Sequence, residues 1–203
     1  MFALISIPKV FNGIRLSTYS VKIITGNPGT GKHTIAQILS RKMGLELIDI
    51  NKIAIEEKIV ERRNEVLDVD VVKLKKILDK TGSKNSLLVG HLAPYVVSRN
   101  KVEVAVVLRQ SPYELVRVYK KRKYRKDKII ENLGSEILGI TYYDMVRNIG
   151  QNKTFQFDTT KKSIVSITKK IETLFLKGKV KGDKVDWLAL VLKNGDIQKF
   201  FPY

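Results

Sequence analysis

One stretch of this chain carries most of its legible chemistry. Gly26-Asn27-Pro28-Gly29-Thr30-Gly31-Lys32 fits the spacing G-x-x-x-x-G-K. It follows a β-branched apolar run at 21–25. It precedes a segment, 34–43, in which Ile35, Ile38 and Leu39 recur at helical intervals. Strand, glycine-rich turn and helix in that order are what a phosphate-binding loop requires. Glycines let the backbone curl until successive N–H groups converge on phosphate oxygens. The helix behind them adds the positive end of its dipole. A lysine closing such a loop reaches the β- and γ-phosphates and stays with the charge as a phosphoryl group moves. Asn27, Pro28, Gly29, Thr30, Gly31 and Lys32 are therefore the expected nucleotide-binding residues, with Lys32 catalytic. The next position departs from the pattern. Where Ser or Thr would offer a hydroxyl to Mg²⁺, the chain has His33, followed by Thr34. A neutral imidazole is a poor ligand for a hard cation. His33 keeps its backbone N–H as a phosphate donor, and Thr34 becomes the candidate metal ligand.

Further candidates stand where apolar runs end. Leu87-Leu88-Val89 runs into Gly90-His91, and the apolar segment 102–108 runs into Arg109. Ligands of open α/β sheets gather at such strand ends. His91 either faces the phosphates and an attacking water or is a histidine satisfied by local hydrogen bonds. Arg109 either clamps the transferring phosphate or pairs with Glu114 or another neighbour. Residues 117–128 hold eight basic residues and one acid. This run is either a solvated helix face or a cover for phosphates, with charge to spare for RNA. Its Tyr119 and Tyr124 either stack on bases or pack against the domain. Arg62 and Arg63, close to Asp68 and Asp70, are candidates for an acceptor's phosphate.

Regular elements must hold these residues in place. Strands are expected at 21–25, 45–50, 87–89, 102–108 and 153–158, and a closing helix at 164–176. Residues 51–80 mix charged and apolar residues at helical intervals. Ser111-Pro112-Tyr113-Glu114 reads as a helix start with a capping box. Strands alternating with helices imply an α/β fold of the P-loop NTPase type, a five-stranded parallel sheet with helices on both faces. The chain has 203 residues, enough for one domain. Residues 1–20 contain no acid and place their apolar stretch ahead of Lys9, the wrong order for a signal peptide. They read as a dispensable extension or a mis-assigned start, leaving 21–203 as the domain. No run approaches the ~20 apolar residues of a membrane helix, and a cytoplasmic location is expected. The 38 Lys+Arg against 20 Asp+Glu give a formal net charge of +18, which favours polyanionic partners. The absence of Cys excludes thiolate and disulfide chemistry, and two His make a histidine metal cage unsuitable.

Later segments narrow the reading by resemblance. Val106-Val107-Leu108-Arg109-Gln110-Ser111-Pro112 resembles the V-L-R-x-x-P element of small nucleoside monophosphate kinases. Arg122-Lys123-Tyr124 through Lys128-Ile129-Ile130-Glu131-Asn132 resembles R-G-Y-x-x-x-K-I-x-E-N, and Ser135-Glu136-Ile137-Leu138 extends it. Gly90-His91-Leu92, Asp158-Thr159-Thr160 and Val185-Asp186-Trp187-Leu188 complete the series. In this order they resemble the archaeal family named putative adenylate kinase. Its eukaryotic relatives are nuclear adenylate-kinase-like proteins of small-subunit ribosome assembly.

The resemblance implies ATP and Mg²⁺ as cofactors, AMP or another NMP as acceptor, and ATPase activity. It also implies a second role as an assembly factor that binds a platform protein of the small ribosomal subunit and rRNA. It places a monophosphate-binding segment at 49–72 and a lid at 121–131. It aligns Gly29, Gly31, Lys32, His33 and Thr34 with ATP-phosphate contacts, Arg122 with the lid arginine, and Lys161 with a basic nucleotide contact. Besides His33, one departure stands out: Val89 occupies the position where an acid would hold the Mg²⁺ shell.

Overall fold

The computed structural model describes residues 20–63, 66–81, 83 and 85–202, with backbone alone for 61–63 and 66–68. Residues 1–19 of the expected extension and the Arg62, Arg63 and Asp68 side chains lie outside what it describes. The first strand, β1 (Val21–Gly26), leads through the glycine-rich turn into α1 (Lys32–Met43). β2 (Glu46–Asp49) is followed at once by α2 (Ile50–Glu56), because the Asp49 side chain caps the helix, accepting from the N–H groups of Asn51 and Lys52. The stretch expected to be mainly helical then breaks into an antiparallel hairpin, β3 (Val60–Arg63) and β4 (Val66–Val69), before α3 (Val71–Thr81). Val60 pairs with Val69 and Arg63 with Val66, a local pairing that the helical reading overlooked. β5 (Ser86–Val89), α4 (Ala93–Val96), β6 (Val102–Arg109) and α5 (Pro112–Lys121) follow. Pro112 opens α5 as expected, but the Ser111 hydroxyl makes no capping bond. The chain continues through α6 (Lys126–Ile137), α7 (Ile140–Ile149), β7 (Thr154–Asp158), α8 (Ile164–Lys177), α9 (Trp187–Lys193) and α10 (Ile197–Phe200).

Five strands form one parallel sheet in the order β2-β5-β1-β6-β7, with helices on both faces. β1 is central and nearly wholly buried, so the turn at its C-terminal end sits in the middle of the sheet's edge. One face packs on α1 and α8 through Ile35, Ala36, Leu39, Ile167, Ile171 and Leu174. Ile38, expected on that buried side, is exposed, and Ala36 takes its place. The other face packs on α2, α3, α4 and α7, with Ile50, Leu74, Val96 and Met145 at its centre. A third apolar cluster joins α5 and α6 to the C-terminal helices: Leu115, Tyr119, Leu133 and Ile137 meet Val191 and Phe200. No helix among the described residues is long and apolar enough to cross a membrane.

Phe200 is 1% exposed and stacks edge-on against Tyr113, with ring centroids 5.2 Å apart. The tail is thus part of the α5–α6 core. Phe200→Ala is expected to lower unfolding stability by about 3 kcal/mol, read by urea denaturation.

Candidate active site

The phosphate loop is shaped by close approach. Gly26 has φ 143°, and a Cβ there would lie 2.5 Å from the Leu108 carbonyl oxygen. Gly31, at φ 85°, takes the left-handed turn that feeds α1. Within the loop, the Asn27 carbonyl accepts from the Thr30 hydroxyl (3.0 Å) and from Lys32 Nζ (3.3 Å). From above, the Tyr119 hydroxyl donates to the Pro28 carbonyl at 2.8 Å. The Asn27 side chain turns away from the loop and donates to Glu136 Oε2 at 2.7 Å.

Glu136 is fully buried and organises the neighbourhood. Its Oε1 accepts from Arg109 Nε (2.8 Å), the Gln110 N–H (3.1 Å) and Trp187 Nε1 (3.0 Å). Arg109 also donates through Nη2 to the Glu136 carbonyl and through Nη1 to Gln156 Oε1. This corrects the expectation of a phosphate clamp. At 3% exposure, Arg109 is spent on a buried ion pair. Its partner is Glu136, while Glu114 lies 3.5 Å from Arg117.

Other expected residues do converge. A cavity of about 290 Å³ is walled by Pro28, Gly29 and Gly31 of the loop, by Lys32, His33 and Thr34 at the start of α1, and by Asn51, His91, Arg122 and Tyr124. Loop, strand-end histidine and Arg122 therefore share one space. On the loop's other side, Gly29, Thr30 and Gly31 border a second cavity of about 180 Å³ with Gln110, Thr159, Lys162 and Ile164. Lys161 lines neither. With φ 52° it turns outward, exposed, and Lys162 faces the cavity instead, 3.2 Å from Asp183. The segment 121–131, expected as a lid, comprises the end of α5, a turn and the first half of α6. Tyr119 and Tyr124 stack on each other at 5.4 Å, and Tyr119 is fully buried, so packing accounts for it.

The electrostatics favour an anion. Burial, then the Arg122 charge, push the Lys32 ammonium down to about 8, with Asp49 opposing them. Burial and the charges of Lys32, Lys128 and His33 likewise push His91 down. Burial would raise Asp49, but its hydrogen bonds with His33 and the Lys52 N–H outweigh that and hold the carboxyl below the usual range. Asp49 Oδ2 lies 3.2 Å from His33 Nε2.

Oxygen donors for a hard cation are at hand. Thr34 lines the cavity, the Asp49 carboxylate stands beside His33, and the buried Asn51 Oδ1 has no hydrogen-bond partner. Among the described residues no group of three or more His, Cys, Asp or Glu forms a ready-made cage. That suits Mg²⁺, which takes one or two protein oxygens and completes its shell with phosphates and water. Asp49, Asn51 and Glu136 were not given a role from sequence. Asp49 carried a signal, an acid between an apolar strand and a helical stretch. Glu136 carried none, since its spacing is that of any acid on a helix.

Two outcomes follow from these buried charges. Lys32→Met should stabilise the ligand-free protein at pH 7 by on the order of 1–3 kcal/mol, because it removes an ammonium held below its normal pKa. The folded state loses its proton near pH 8 and the unfolded state near 10.5. The wild type should therefore recover stability across that interval and the variant's advantage should fade, as seen in urea titrations at pH 7 and 10. Glu136→Gln should cost about 3 kcal/mol by leaving Arg109 buried beside a neutral group, checked by thermal unfolding.

Known proteins share these features. A family model described as "AAA domain" matches residues 23–139, more than half of the chain. Over 166 residues the chain is 31% identical to the protein named "Putative adenylate kinase" of Pyrococcus furiosus, covering 81% of this chain and 89% of that one. The protein of the same name from Methanocaldococcus jannaschii is 28% identical over 185 residues, covering 89% and 94%. The structure of shikimate kinase from Acinetobacter baumannii in complex with shikimate matches with a TM-score of 0.56 at 16% identity, over 81% of this chain and 97% of that one. That likeness shows the P-loop kinase fold. With its loop, sheet and matched span in agreement, the chain belongs to the AAA-domain family, alongside the archaeal proteins named "Putative adenylate kinase".

Proposed function

We propose that the protein transfers the γ-phosphate of ATP to AMP or another nucleoside monophosphate, ATP + NMP ⇌ ADP + NDP, with slower hydrolysis when water takes the acceptor's place. The observation that carries this reading is the convergence of Lys32, the loop amides, His91 and Arg122 on one cavity. The loop and Lys32 hold the β- and γ-phosphates. Arg122, at the C-terminal end of α5, stands where charge spreads over the transferring oxygens. An oxygen of the acceptor phosphate attacks the γ-phosphorus as the bond to the β–γ bridging oxygen breaks. That acceptor is already an oxyanion, so no general base is needed. Mg²⁺, when bound, neutralises β- and γ-oxygens. The smaller cavity, with Gln110, Thr159 and Ile164, is suited to the donor's base. The segment 49–72 serves the acceptor and 121–131 serves as the lid that excludes water. His91 orients the phosphates or a water.

One observation favours a second reading, an ATPase that assists small-subunit assembly by binding rRNA and a platform protein. Lys120, Lys121, Lys123 and Lys126 cluster around the lid turn, all exposed. Among the described residues they have no acidic partner. Product analysis with Mg-ATP separates the two. NDP should accumulate with AMP or another NMP, and Lys32→Met should slow it at least about a hundredfold. Release of free phosphate alone, and only with rRNA and its platform protein present, would overturn the kinase reading in favour of the assembly one.

A further inference from the structure

We propose that Asp49 is the metal-holding carboxylate of this site, doing from β2 what an acid at Val89 of β5 would otherwise do. The proposal rests on the kinase reading, since the metal concerned is the Mg²⁺ that accompanies ATP. The register of the sheet carries it. β2 and β5 are parallel neighbours, and Asp49 pairs directly with Val89. Paired residues on adjacent strands point to the same face, about 4.8 Å apart. Val89 is fully buried in the apolar cluster against α1. The carboxylate is thus displaced by one strand and keeps its height along the sheet, at the end where the phosphate loop lies.

The division of labour within the carboxylate supports this. Oδ1 is occupied by the helix cap, accepting from the N–H groups of Asn51 (3.0 Å) and Lys52 (3.2 Å). Oδ2 meets His33 Nε2 at 3.2 Å, on the residue that follows the loop lysine. His33 thereby acts as a positioning residue: it supplies no metal-ligating hydroxyl and steadies the oxygen that substitutes for one. Asn51, whose buried Oδ1 has no hydrogen-bond partner, is among the residues lining the phosphate-loop cavity beside Asp49. Asp49, Asn51 and Thr34 together offer hard oxygens, and phosphates and water complete the shell.

Asp49→Asn isolates this role from the cap. Asn is an equally good cap, and the amide must keep its oxygen at the δ1 position to accept from Asn51 and Lys52. Its NH₂ then replaces Oδ2 on the His33 side. ATP binding would be measured by calorimetry in EDTA and again in Mg²⁺, with thermal unfolding as a control. In EDTA the variant should bind ATP as tightly as wild type or more tightly, because a negative charge near the triphosphate is gone. The gain in affinity on adding Mg²⁺ should shrink by about tenfold. His33→Thr in the Asp49→Asn background, which restores the hydroxyl, should recover part of that gain. An unchanged Mg²⁺ gain, or equal loss of ATP affinity in EDTA and in Mg²⁺, would overturn the proposal. If the wild-type chain binds no ATP in either condition, the kinase reading itself fails, and this one with it.

Discussion

The buried carboxylate of Glu136 is the constraint on which the site depends. It receives the phosphate loop through Asn27, the end of β6 through Arg109 and the Gln110 N–H, and the C-terminal segment through Trp187. A buried ion pair adds little stability over a well-packed apolar substitute, but once present it must be satisfied in full. Here the four donors come from three separate segments of chain, so one rigid arrangement satisfies it. The loop cannot shift relative to α6, nor the tail relative to β6, without taking a hydrogen bond from the buried carboxylate. The tail is therefore tied to the phosphate loop through Glu136, although it lies far from it in sequence.

That rigidity supports an unfavourable concentration of positive charge. Lys32 is 6% exposed and its ammonium meets the Asn27 carbonyl at 3.3 Å. Arg122 shares its cavity, and Lys128 is close enough to act on His91. Asp49 opposes them, engaged with His33 and the helix cap. A carbonyl dipole is a weak partner for a buried ammonium, and a phosphate oxygen is a strong one. The site is thus less stable by itself than with an anion, which is the usual relation between a binding site and its fold. The same geometry links fold to function, because the burial that depresses Lys32 also strengthens its pull on a bound phosphate.

What the sequence disclosed follows physical lines. The phosphate loop was legible because its glycines are dictated by backbone conformation, a local matter. The five strands were legible as apolar, β-branched runs, and the sheet they form is the one expected. The hairpin at 60–69 was obscured because its apolar residues, Val60, Val66, Leu67 and Val69, follow no regular alternation in a stretch whose flanks are helical. Arg109 could not be settled from sequence for a different reason. A strand-end arginine looks the same whether it faces a ligand or a buried acid, and its partner lies 27 residues away. Lys161 lies outside the cavity that its neighbour Lys162 lines, and the positive φ of its turn is invisible in the sequence. The segment around Arg62 and Arg63 was visible only as a charge pattern.

The basic run at 117–128 shows how charge and shape divide the work of recognition. Some of its charge is spent locally: Arg117 lies near Glu114, Arg125 near Asp127 and Lys128 near Glu131. Arg122 turns into the cavity, and Tyr119 and Tyr124 build the cover's interior. The remaining lysines act only through their field, which is screened within about 10 Å at 0.1 M salt. Such a field attracts a nucleotide and a nucleic acid alike, so net charge cannot tell the two apart. Discrimination has to come from the geometry around the phosphate loop. There a buried lysine, His91 and Arg122 border one cavity with the loop, so their donors are fixed in direction, as a diffuse field is not.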